Sequence, residues 1–169
     1  MMNDLSHNSI TNVTNLWQYQ VHVWKGIHES VPIPEHEGTR YLLSLDTSIR
    51  TDKVTVGGMT CNALQTNCKN LWAKMHNGTS TLVDIRFSGL NLNEDTVYVT
   101  DGITTGNLSY MDGGTNSNAI SPPRAGLPVV NYTHFPANMS QTLHTHPSQR
   151  IGLVLNRYGE IELDNHKHF

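Results

Sequence analysis

Hydrophobic and polar positions alternate with a period of two along much of this chain, as they do in strands that bury one face. The clearest case is LWQYQVHVW at residues 16–24. There Trp17, Tyr19, Val21 and Val23 point one way, and Gln18, Gln20 and His22 point the other. Strand-like stretches follow at 41–49, 53–60, 81–90 and 96–100. GIHESVPIPEHEG at 26–38 breaks the alternation with two prolines and reads as an extended loop. NCKNLWAKMH at 67–76 is the best short helix or turn candidate, and Asn77-Gly78 marks a turn.

Residues 107–126, NLSYMDGGTNSNAISPPRAG, form a Gly/Asn/Ser/Pro-rich segment that reads as a long loop and a boundary. The expected organisation is a β-rich region at 1–106, this loop, and a third part at 127–169. Strands are expected there at 127–135, 142–146 and 151–155, and 160–164 closes a hairpin through 156–159. Short strands about ten residues apart favour a sandwich or barrel.

Composition agrees with this. Charged residues make up 15% of the 169-residue chain, against roughly 25% in an average soluble domain. Asn, Ser, Thr and Gly fill the difference. The net charge is −3 and no Lys/Arg block occurs, which argues against nucleic acid or an anionic membrane as partner. No apolar run has the length of a spanning helix. Cys61 and Cys68 are the only cysteines and read as free thiols. The polar N-terminus lacks a signal-peptide core, so the expected location is cytoplasmic.

Five of the ten histidines fall between His134 and the C-terminus. His144 and His146 are two apart, so on a strand both imidazoles share a face and can meet one metal ion. The surrounding segment, 136–162 (PANMSQTLHTHPSQRIGLVLNRYGEIE), resembles the first conserved motif of the cupin superfamily. Asn138 takes the leading Gly position and Asn tolerates positive φ. His144 and His146 match the histidine pair. Pro147, the apolar Ile151, Leu153 and Leu155, and the turn residue Gly159 match the remainder of the motif.

The resemblance implies a mainly β, cupin-like double-stranded β-helix, or jelly roll, incomplete at its C-terminus, because no second motif is found after the first. It implies a divalent metal (Fe, Mn, Ni or Zn) on His144, His146 and Gln149, with Arg150 and His134 as substrate-binding residues. Arg150 stands where the family places its third ligand, and a guanidinium cannot bind a metal. Gln149 is the neighbour that offers a carbonyl oxygen. The implied activity is metal-dependent chemistry (a dioxygenase, isomerase or lyase) on a small organic acid or sugar-like metabolite. Two other readings stand beside it: a non-catalytic small-molecule or sugar-binding module, and a structural jelly-roll component of a particle or oligomer. The partners expected for the chain are a small-molecule ligand and a second copy in a homodimer. Further candidates are Glu29, Glu35, His36 and Glu37 for acid–base work, Arg124 with Arg150 for an anionic ligand, and Trp17, Tyr19 and Trp24 for core packing or a sugar-binding face.

Overall fold

A computed structural model describes residues 8–13, 18–57, 61–92, 97–100, 106–121, 126–146, 150–156, 159–163 and 166–168. The strands in chain order are β1 (Asn8–Val13), β2 (Gln18–Lys25), β3 (His28–Ile33), β4 (Arg40–Leu45), β5 (Thr47–Thr51), β6 (Thr55–Val56), β7 (Cys61–Thr66) and β8 (Leu71–Met75). They continue as β9 (Thr81–Ser88), β10 (Val97–Thr100), β11 (Leu108–Ser109), β12 (Thr115–Ile120), β13 (Val130–His134), β14 (Ile161–Leu163) and β15 (His166–His168). The protein is mainly β, and its antiparallel sheets do not close into a barrel.

Two sheets make the body. A six-stranded sheet has the order β1-β2-β9-β4-β7-β10, and a four-stranded sheet has the order β3-β8-β5-β6. The chain passes between them at corners. Gly26 and Asp46 take positive φ at two of these corners, at 104° and 48°. The Asp46 carbonyl accepts from the Ser80 hydroxyl at 2.7 Å, and its carboxylate accepts from the Asn77 amide at 3.1 Å. These bonds tie the β4–β5 corner to the β8–β9 corner.

The pairing is nested. β2 pairs with β9, β3 with β8, β4 with β7, and β5 with β6, all antiparallel. Between the two sheets lie Trp24, Ile33, Leu42, Ile49, Leu64, Leu71, Met75 and Leu82, all buried. The large sheet buries its other face too. Tyr19, Tyr41, Val83, Ile85 and Phe87 on that face are covered by Ile120, Leu127, Val130, Ile151 and Leu153. Residues from the chain's last third therefore form a third layer on a sheet built from its first hundred residues.

Several sequence expectations are corrected. Residues 67–76 hold the strand β8 rather than a helix. Leu71, Ala73 and Met75 are buried while Lys74 is exposed, a period of two that the short window concealed. The 107–126 segment contains β11 and β12 instead of forming one loop. Backbone pairing on both sides of β12, with β11 and β13, needs no hydrophobic side chains, and buried Ile120 anchors its end. Residues 142–146 and 151–155 join no sheet. Ile151 and Leu153 spend their apolar surface on the large sheet's second face. β14 pairs with β15 instead of closing a hairpin through 156–159. Residues 26–38 are not one loop: β3 occupies His28–Ile33 and pairs with β8 despite Pro32, and only 34–39 remain a loop. Tyr19, Val21 and Val23 share the second face, as the alternation predicts. Trp17 lies outside the described residues.

Leu42 is fully buried at the centre of the inter-sheet core. Leu42→Ala is expected to lower unfolding stability by about 2–5 kcal/mol, read from the midpoint and slope of urea denaturation.

Candidate functional site

Beyond β13 the chain reverses through Pro136–Met139, where the Met139 amide donates to the Pro136 carbonyl at 3.3 Å. Asn138 sits there at φ 60°, the left-handed conformation expected of it. The following arm is held by Asp112, itself at φ 55° in the tight turn between β11 and β12. Its carboxylate accepts from the Thr142 amide at 2.7 Å and from the Thr142 hydroxyl at 3.2 Å.

That anchor places His144 and His146 together on the surface, with ring centroids 4.7 Å apart. Hydrogen-bond chemistry fixes their protons. His144 Nδ1 lies 2.7 Å from the Thr142 carbonyl, which only accepts, so Nδ1 carries the hydrogen. Arg150 Nη2 lies 3.2 Å from His146 Nδ1, and a guanidinium only donates, so that Nδ1 is bare. The proton of neutral His146 is then on Nε2, which donates to His144 Nε2 at 3.1 Å. The pKa of His146 is lowered, first by desolvation among its neighbours, then by the positive charge of Arg150, with a further electrostatic contribution from the His144 imidazole.

Part of this arrangement suits a metal and part opposes it. Two nitrogens bonded to one ion at about 2.0–2.1 Å stand roughly 3 Å apart, and the Nε2 atoms are 3.1 Å apart. The Thr142 carbonyl orients His144 as outer-shell acceptors orient ligating histidines. Arg150 opposes the fit. A neutral imidazole bound through Nε2 carries its hydrogen on Nδ1, where the guanidinium now donates. Among the described residues no third His, Cys, Asp or Glu joins the pair. His134 is half-buried on β13 opposite Thr115. Gln149, Pro147 and Arg124 lie outside the described residues, as do the side chains of His166 and His168. Apolar side chains are exposed on the segments around this anchor. Met111, Phe135 and Leu143 are exposed, Leu143 by 81%. Gly114 lies against both Met111 and Phe135, and the Thr142–Asp112 bonds bring the Leu143 backbone to the same turn.

Sequence reading missed a second cluster, between the sheets. Arg40, Asp84 and Arg86 are buried on the face of the large sheet that carries Leu42 and Leu82. Arg40 and Arg86 are direct cross-strand partners. Arg86 Nε donates to Asp84 Oδ2 at 2.7 Å, and Arg40 Nε lies 3.6 Å from Asp84 Oδ1. Arg40 also donates from Nη2 to the Pro34 carbonyl at 2.8 Å, bracing the loop before β4. His36 in that loop turns inward, its Nε2–H donating to the Phe87 carbonyl at 3.1 Å. Burial lowers the pKa of His36, and Arg40 and Arg86 add to the effect. Burial also lowers that of Arg40, which Asp84 partly restores. The signal was present in TLVDIRFSGL, where two charges two apart share one face of an otherwise apolar strand. Glu35 and Glu37, named beside His36, point to solvent. Tyr19 and Trp24 are core residues, and neither cysteine forms a disulfide.

No helix among the described residues is long and apolar enough to cross a membrane. No protein-family model, curated protein or solved structure matches this chain. Removing the neighbouring guanidinium takes away one of the charges that depress His146. Arg150→Ala is therefore expected to move the His146 titration upward, followed by NMR of the imidazole protons across pH, while His36 stays where it is.

Proposed function

We propose that the protein is a non-catalytic jelly-roll subunit that assembles with further copies of itself through the outer face of its C-terminal layer. The nested order of eight strands, β2 to β9 in two sheets of four or more, supports the jelly-roll part of this reading, since jelly rolls are eight-stranded double sheets. The observation that carries the reading is the filled interior. Apart from the Arg40–Asp84–Arg86 cluster at one end, apolar side chains occupy the space between the sheets, and a void among them, lined by Trp24, Val31, Ile33, Ala73, Met75 and Leu82, measures ≈ 10 Å³. Small-molecule sites need about 300–1,000 Å³. The outer layer has the opposite character. Leu108, Val129, Phe135, Leu143 and Val154 are all more than 45% exposed and lie beyond residue 106. Aromatic, Met and Arg side chains with aliphatic neighbours are the composition of interface centres.

Light scattering on a size-exclusion column tests this reading. Wild type is expected to elute as a multiple of 18.9 kDa. Phe135→Asp with Leu143→Asp, both at exposed positions, is expected to give the monomer with unchanged circular dichroism. A wild-type monomer at high micromolar concentration overturns the reading.

The His144–His146 spacing of 3.1 Å favours a second reading, the one the cupin resemblance implies. In it the pair holds a divalent metal (Fe, Mn, Ni or Zn), with the remaining donors supplied by Gln149 or by a second copy. The metal would supply Lewis acidity at the surface, and Arg150 would receive the carboxylate of a small organic acid. Elemental analysis and calorimetric titration with Zn²⁺ or Ni²⁺ decide it. Binding is expected to be lost in His144→Ala and to tighten several-fold in Arg150→Ala. No uptake by wild type removes this reading.

A further inference from the structure

The buried charge cluster has one cation too many. Arg40 and Arg86 face the inter-sheet space with Asp84 between them, and their side chains are only 1% and 8% exposed. Among the described residues no other acid acts on Arg40 or on His36 beside it. The donors are left over as well. Arg40 Nε and Asp84 Oδ1, at 3.6 Å, come within bonding distance by a small shift. Arg40 Nη1 and Arg86 Nη2 have no such partner: both are buried and neither donates to an acceptor among the described residues. A guanidinium cannot lose its proton to escape this. Buried polar groups are almost always satisfied, and an ion is one accepted explanation for those that are not.

We propose that the Arg40–Arg86 pair binds a small carboxylate anion at this end of the inter-sheet space. One negative charge balances the excess. Two carboxylate oxygens match two guanidinium nitrogens presented from adjacent strands. Direct cross-strand partners set their Cβ atoms about 5 Å apart, which lets a one-carbon carboxylate bridge them. The anion enters from the β2 side, where exposed Gln20 is the cross-strand partner of Arg86. The site is separate from the surface histidines and does not depend on either reading of them.

The probe is formate, exchanged for chloride at constant ionic strength, with urea unfolding of the full chain as readout. Wild type is expected to gain stability in a saturable way. At about 100 times the dissociation constant, the folded-to-unfolded ratio rises about 100-fold. Arg86→Gln is expected to lose this response. Gln20→Glu, at an exposed position that leaves the fold intact, places a carboxylate of the chain's own beside Arg86. It is expected to be more stable than wild type and indifferent to formate. A wild type that does not respond, or a response of equal size in Gln20→Glu, overturns the proposal, whether or not Arg86→Gln folds.

Discussion

Seven of the eight residues of β9 are buried, so both faces of the large sheet must be covered at once. The small sheet covers one face and the C-terminal layer covers the other. A strand in this position cannot hold a charge cheaply, yet β9 holds Asp84 and Arg86. Burying an ion without partners is prohibitive, and burying a pair is roughly neutral at best. The loop before β4 is shaped accordingly. Pro34 lends its carbonyl to Arg40, His36 turns inward to Phe87, and Thr39 ties the loop to the segment after β9 through its amide, 2.7 Å from the Leu90 carbonyl.

The fold was legible where alternation was strong. Tyr19, Val21 and Val23 on β2 declared a face, and the structure uses that face. The class, mainly β with short antiparallel strands, followed from such segments. It failed where pairing rather than side chains makes a strand. TNSNAI has little to bury except Ile120, so nothing in its composition marks it, and the loop-like residues around it dominated the reading. NLWAKM failed for another reason: Trp72 and Lys74 also suit a helix, and five residues are too few to separate a period of two from 3.6.

Of the site, the pairing of His144 with His146 was legible, because spacing alone puts them on one side of an extended chain. The positive φ of Asn138 was legible too. The role of Arg150 was only half visible. Its inability to ligate follows from its chemistry, but its place against His146 Nδ1 does not follow from its position in sequence. Asp112 could not be found at all: it lies thirty residues from Thr142, and only the folded chain brings the two together. The buried arginines escaped notice because Arg40 opens its strand, where an exposed charge is the ordinary expectation.

The nested pairing also sets an order of closure. β5 and β6 are joined by a turn in which the Thr51 hydroxyl accepts from the amides of Lys53 and Val54 at 2.9 and 2.8 Å. This is the one pair among the eight nested strands that is local in sequence. Bringing β2 to β9 directly would close a loop of some sixty residues, and the entropy of such a closure grows with the logarithm of its length. If β5–β6 closes first, β4–β7 has only a short loop left to close, then β3–β8, then β2–β9. The chain thus replaces one long closure with a series of short ones, each prepared by the pair inside it, like a ribbon folded at its middle and zipped towards its ends.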